Sequence, residues 1–263
     1  MEKITLSGVP ETMLQTVYAR AKETKRSNGV IRDDKAVELI KKINYDFSLS
    51  DKDKTMSSGV IARTIVLDRL VGDFLKKNPN ALVVNIACGL DTRCYRLDNG
   101  KFRWYNLDLP ETIAVREKLL KEEGRISQVA MSAMDDWGEV IENDGERPVL
   151  IIIEGLTMYL SEADVKRIFE VISKRFAHAE VLVETMSPFV VKNIKEKSIE
   201  GSKAKFSWGV KNGKELEALL PEFKFVEEHS LVEGMKILMP IYNFLGIFPF
   251  VRNISNKICV MKK

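Results

Sequence analysis

Residues 81–116 constrain the fold of this chain more than any other stretch. They read ALVVNIACGLDTRCYRL, then a short gap, then FRWYNLDLPETIAVR. An apolar run at Leu82, Val83, Val84 and Ile86 stops at Cys88-Gly89, and a second run ends in an acid, Asp108. This is the layout of a nucleoside-binding half of a doubly wound α/β sheet. Gly89 carries no Cβ, so backbone there can come close to a ligand. An acid at the tip of the next strand can accept hydrogen bonds from a ribose diol. The segment therefore points to an adenosine-type cofactor.

At 263 residues the chain can bury a full core, and one α/β domain with an elaboration is expected. The formal net charge of +3 is small for this length and the lysines are scattered, so there is no nucleic-acid footprint. Cys88, Cys94 and Cys259 stand apart with no CxxC pair. That argues against a disulfide framework or a zinc site and suits a reducing compartment. Two histidines, His178 and His229, are too few for most metal chemistry. Residues 1–7 are short and mixed, unlike a secretory leader. The longest apolar run, residues 237–251, is broken by Pro240, Gly246 and Pro249 and falls short of a membrane span. The expected address is the cytoplasm, with no metal, nucleic-acid or membrane partner.

Residues 9–78 read as helical. Met13, Val17 and Ala21 recur at helical spacing behind Pro10; Ala36, Leu39, Ile40 and Ile43 repeat the pattern; Ile61, Ile65, Leu70 and Phe74 share the face of a third helix beginning near Ser57. Asn78-Pro79-Asn80 is a turn and a natural boundary. The expected division is an N-terminal helical cap, 1–78, and an α/β core, 79–263. Strands are expected at 82–86, 103–107, 126–131, 149–153 and 180–185, with helices at 110–122 and 162–176. That alternation predicts a mostly parallel sheet covered on both faces. FKFVEEHS and KICVMKK read as two further strands paired at one edge. Two insertions, near 188–212 and 231–253, fall at strand ends, where such sheets bind ligands. Each reads either as a lid or as a helical decoration with its own small core.

A dinucleotide fingerprint asks for G-x-G-x-x-G, and only Gly89 is present; Leu90, Asp91, Thr92 and Arg93 follow it. A pyrophosphate cradle is poorly supported. S-adenosylmethionine is better matched: it has no phosphates, its sulfonium favours a nearby carboxylate or aromatic face, and its carboxylate suits an arginine.

These residues resemble the leucine carboxyl methyltransferase family, which includes bacterial tetracenomycin-type polyketide O-methyltransferases. The resemblance runs over nearly the whole chain, through LSGVPETMLQTVYARAKET, SSGVIARTIVLDRL, VNIACGLDTRCYRL, WYNLDLPETIAVR and IIEGLTMYL. It implies a class I, Rossmann-like methyltransferase core with a helical N-terminal addition. It implies that Arg20 and Arg63 clamp the methionine carboxylate and that Ala87 and Gly89 line the cofactor loop. Asp108, followed by Leu109, should bind the ribose, and residues 132–135, with Met134 and Asp135, should contact adenine. Glu154 should lie near the cofactor's amino group or methyl. Arg63 and Glu154 are the candidate catalytic residues. The family's alanine-aspartate-leucine setting is replaced here by Ser132-Ala133-Met134-Asp135.

Each residue also has a plainer reading. Gly89 can be a turn glycine, and Asp108 can cap the helix that begins at Pro110, a role compatible with the diol. Asp91 can bind loop backbone. Arg93 and Arg96 read as surface partners of acids, and Arg63, on an apolar helix face, as solvated. Glu154 at the mouth of an aliphatic strand is costly without a partner, which favours a functional role. Tyr159 reads as core, and both histidines as surface or structural.

Methyl transfer is an in-line displacement in which positioning supplies much of the rate. An ionised carboxylate acceptor needs no base, whereas an alcohol does. No trusted base appears, which favours a carboxylate or acidic hydroxyl of a small molecule; a protein C-terminal carboxylate is a further possibility. The competing classes are an NAD(P)-dependent Rossmann oxidoreductase, which lacks its glycines and a Tyr-x-x-x-Lys pair here, and a non-catalytic S-adenosylmethionine-binding module.

Overall fold

The computed structural model describes residues 4–5, 11–143, 145–193 and 205–263. At the N-terminal side, β1 (Ile4–Thr5) and β2 (Ile43–Asn44) pair in parallel around α1 (Glu11–Thr24) and α2 (Asp34–Lys42). A short α3 (Ser48–Lys52) leads into α4 (Lys54–Lys77). The α4 helix starts earlier than its apolar periodicity indicates, because the Asp53 side chain accepts from the Met56 N–H at 2.9 Å and caps it.

Seven strands form the main sheet: β3 (Leu82–Ile86), β4 (Arg103–Asp108), β5 (Ile126–Ala130), β6 (Val149–Ile153), β7 (Glu180–Thr185), β8 (Lys224–Ser230) and β9 (Lys257–Lys262). Their order is β5-β4-β3-β6-β7-β9-β8. The first five run parallel, and β9 pairs antiparallel with both β7 and β8. The edge pairing of the last two strands is therefore as read from the sequence, with β9 placed inside β8. Crossovers carry α5 (Arg93–Arg96), α6 (Pro110–Leu119) and α7 (Glu162–Arg175).

One face of the sheet packs Trp137, Phe169, Phe176 and Phe223; the other packs Leu67, Val71, Phe102 and Trp104. Every residue of β3 and of β6 is buried, as expected for central strands covered on both sides. The strand order reverses between β3 and β6, and the crevice outside their carboxyl ends is where such sheets bind ligands.

The α6 helix ends at Leu119, short of the expected Leu120–Glu122 turn. Leu120 is extended, and the chain leaves the helix so that the Glu122 carboxylate turns inward onto Arg116, Tyr95 and Asn106. Beyond β7, α8 (Pro188–Asn193) is described, residues 194–204 of the first expected insertion lie outside the described residues, and α9 (Gly213–Leu219) precedes β8. Between β8 and β9 stand three short helices, α10 (Val232–Leu238), α11 (Tyr242–Leu245) and α12 (Pro249–Ile254). Among the described residues no helix is long and apolar enough to cross a membrane.

Candidate active site

The loop after β3 has two left-handed residues, Ala87 at φ +53° and Gly89 at φ +48°. Alanine is seldom found in that region, and glycine enters it without steric cost. A Cβ on Gly89 would also come within 3.1 Å of Met13 Cγ on α1, so a glycine suits the position twice over. The Gly89 N–H donates to Asp108 Oδ2 at 2.7 Å, and the Leu109 N–H donates to Asp108 Oδ1 at 2.8 Å. Burial pushes the Asp108 carboxyl up, and the amide bonds from Gly89 and Leu109 offset this only in part, leaving it above the ordinary aspartate value. Below the loop, Arg116 donates to the Gly89 carbonyl at 2.9 Å while its other nitrogens grip Glu122. Both members of that pair are fully buried.

A chain of ion pairs lines the adjoining strand ends. Arg93 donates to Asp68 at 2.8 Å, Asp91 at 2.6 Å and Glu154 at 2.9 Å. Arg96 takes Asp68 through two nitrogens. Arg63 lies 2.7 Å by Nε from Glu154 and donates through Nη1 to Glu184 at 3.1 Å. Glu184 also accepts from the Gly155 N–H at 2.8 Å and from Asn256 at 2.9 Å. On the far side, Arg20 donates to Asp33 at 2.9 Å and to the Leu90 carbonyl at 3.0 Å, and Thr92 donates to the same Asp33. Burial alone would neutralise Glu154 and Asp91. For Glu154 the charges of Arg63 and Arg93 prevail, for Asp91 those of Arg93 and Arg96, and both carboxyls stay below their ordinary values.

Four arginines (Arg20, Arg63, Arg93, Arg96) and five acids (Asp33, Asp68, Asp91, Glu154, Glu184) make up this cluster, leaving one negative charge in excess. Burial pushes the Cys94 thiol up to about 12 and the Cys259 thiol up to about 11, so neither is a nucleophile at neutral pH. Among the described residues no cluster of His, Cys, Asp or Glu is arranged for a metal ion.

The structure thus joins Arg63 directly to Glu154, and Gly89 and Leu109 directly to Asp108. Arg20 reaches the loop after β3 through Leu90 but touches neither Arg63 nor Glu154. The loop bearing Met134 and Asp135 hangs beside Asp108, whose carbonyl accepts from the Met131 N–H at 3.0 Å. Asp135 is exposed there and accepts from the Ser132 N–H at 3.0 Å; Met134 is half-buried and its carbonyl accepts from Arg167.

Two plain readings need correction. Arg93 and Arg96 are not surface residues; Arg93 is buried and Arg96 largely so, because each has several carboxylates to replace water. Arg63 is not solvated, since Glu154 and Glu184 draw its guanidinium inward. Sequence reasoning missed Glu184, although it shows the signature used for Glu154, an acid ending an apolar strand. It also missed Asp33, Asp68, Glu122 and Asn256, which carry no local signal.

Residues 13–173 match the leucine carboxyl methyltransferase family. The chain belongs to that family. It is 33% identical over 239 residues to the tetracenomycin polyketide synthesis O-methyltransferase TcmP of Streptomyces glaucescens, covering 89% of this chain and 87% of that one. It is 31% identical over 247 residues to the S-adenosyl-L-methionine-dependent methyltransferase dpfgK of Gibberella zeae, covering 86% and 83%. The fold matches a methyltransferase-fold crystal structure from Thermobifida fusca YX with a TM-score of 0.58 at 15% identity, over 98% of this chain and 99% of that one. The protein is an S-adenosylmethionine-dependent methyltransferase of class I fold.

The residues present fit that cofactor. The left-handed turn at Gly89 sits beside the Asp108 carboxylate, and the excess negative charge suits a ligand of net positive charge. Arg63 Nε is buried, and its 2.7 Å approach to the Glu154 carboxylate is an ion pair without hydrogen-bond geometry.

Proposed function

We propose that this methyltransferase acts on oxygen, transferring a methyl group to a carboxylate or acidic hydroxyl of a small molecule. When bound, S-adenosylmethionine supplies an electrophilic methyl on a sulfonium. Asp108 would accept from the ribose hydroxyls, with the Gly89 and Leu109 amides fixing its carboxylate. Arg63 would hold the methionine carboxylate, and Glu154 would face the ammonium. Arg20 would act on the loop through Leu90. Residues 132–135 would border adenine. Residues 1–78 would serve as a cap on a core of 79–263, an arrangement supported by the Arg20–Leu90 and Asp33–Thr92 bonds across it.

One observation carries the choice of acceptor. Among the described residues the cleft carboxylates other than Asp108 are paired with arginines, and Asp91 and Glu154 are held ionised as weak bases; Asp108 is held by the Gly89 and Leu109 amides and is assigned to the ribose. His229 sits apart against Glu233, and His178 is exposed. With no other proton acceptor left free among those described residues, the cleft suits an acceptor oxygen that is already anionic at neutral pH. The name of the Streptomyces relative, an O-methyltransferase of polyketide synthesis, supports the same class.

The test is release of S-adenosylhomocysteine with aromatic carboxylic acids, acidic phenols, aliphatic alcohols and peptides ending in a free leucine. Turnover of the first two groups is expected. Turnover confined to alcohols would overturn the proposed acceptor chemistry, and turnover confined to the peptides would replace the small molecule with a protein C-terminus.

A further inference from the structure

We infer that residues 237–251 form a face that docks on anionic lipid. Six large apolar side chains there, Ile237, Ile241, Phe244, Ile247, Phe248 and Phe250, are between 48% and 65% exposed. Phe189 of α8 joins them, its ring 6.2 Å from that of Phe250. Patches of this kind mark contact surfaces on soluble domains. These fifteen residues contain no charged side chain. The projection is built to present them. Its ends are tied by the Leu231 N–H to the Asn256 carbonyl at 2.9 Å. Gly234 lies so close to the Ala62 backbone that a Cβ would overlap it.

Charge decides the occupant. Cations border the patch: Lys192 on α8, Lys236 at its start and Arg252 at its end. The Lys236 stem lies along Gly246, on the projection itself. The nearby acid, Glu233, is taken up by Arg69 and His229. Apolar and aromatic side chains ringed by cations complement an anionic lipid surface. A second copy docked face to face would set this cationic rim against its own like.

The experiment is co-sedimentation of the full chain with phosphatidylcholine vesicles, with and without phosphatidylglycerol. Binding is expected with phosphatidylglycerol, and loss of it near 1 M salt, where charges are screened beyond about 3 Å. The triple variant Phe244→Ser, Phe248→Ser, Phe250→Ser should lose binding. Lys236→Glu with Arg252→Glu should weaken it by about 25-fold or more, at roughly fivefold per cation lost. Both variants should bind S-adenosylhomocysteine as the parent does, which shows them folded and separates this inference from the methyltransferase reading. Failure of the parent to sediment with phosphatidylglycerol vesicles would overturn the inference. So would a concentration-dependent dimer that the triple variant abolishes.

Discussion

Arg93 and Glu154 meet at 2.9 Å, and their pair bridges the loop after β3 to the end of β6, across the point where the strand order reverses. Glu154 is also the partner of Arg63, so one carboxylate serves two guanidiniums, one buried and one largely so. Glu154→Gln should take one carboxylate from each arginine, leaving Arg63 with Glu184 and Arg93 with Asp68 and Asp91. Breaking such a pair costs about 3–5 kcal/mol, to be read as a lower urea midpoint at unchanged slope. Cofactor affinity should fall with it in calorimetry with S-adenosylhomocysteine. An unaltered midpoint would show that Glu154 does not balance these arginines.

Asp108 should give cofactor binding an acid limb. Burial holds its folded carboxyl above the ordinary value, so acidification neutralises it before ordinary aspartates. Affinity for S-adenosylhomocysteine should then fall with pH, beginning above about pH 4. The stability sign is opposite. The folded protein takes this proton more readily, so Asp108 lowers stability above its folded pKa and is relieved below it. Asp33, Asp91 and Glu154, held below their ordinary values, stabilise at neutral pH and lose that contribution as pH falls through their folded values. Asp108→Asn should remove the acid limb and cost about 1–3 kcal/mol of affinity at neutral pH. A limb that persists in the variant belongs to another group.

The Arg116–Glu122 pair should behave as a unit. Arg116→Met leaves a buried carboxylate and frees the Gly89 carbonyl, costing about 3–5 kcal/mol of stability. The double variant Arg116→Met, Glu122→Leu should recover much of that loss, because it removes both charges at similar volume. Urea titration of the four proteins measures the coupling. Strict additivity would mean the two residues contribute separately.

Gly89→Ala should cost about 1–2 kcal/mol from its left-handed backbone alone, with a further loss from crowding against Met13. Gly100→Ala is the control, since Gly100 is also left-handed at φ +74° but opens onto free space. The difference between their midpoints isolates the Met13 contact. Equal losses would assign the whole effect to the backbone.

The central strands were legible because each is a mostly apolar run closely followed by a glycine turn, as in VLIII before Glu154-Gly155 and in LVVNI, broken only by Asn85, before Cys88-Gly89. Gly89 and Asp108 were legible for the same reason: each stands where a strand ends. The ion network was not. Arg93 and Arg96 look solvated in a sequence, and only the fold brings Asp33, Asp68 and Glu154 to them from three separate elements. Burial of a charge depends on partners that are distant along the chain. The end of α6 was misjudged on the same ground, since Glu122 looks like a helix-surface residue until Arg116 is known to be buried.

The position of β9 between β7 and β8 has a bearing on synthesis. A growing chain can pair β3 through β7 as they leave the ribosome, but β8 has no partner until residues 257–262 follow it. Asn256, just before that strand, brings the amide that steadies Glu184. The ion cluster is therefore completed only when the final ladder zips shut, and a nascent polypeptide arrested before it would carry a half-made enzyme with an open sheet edge.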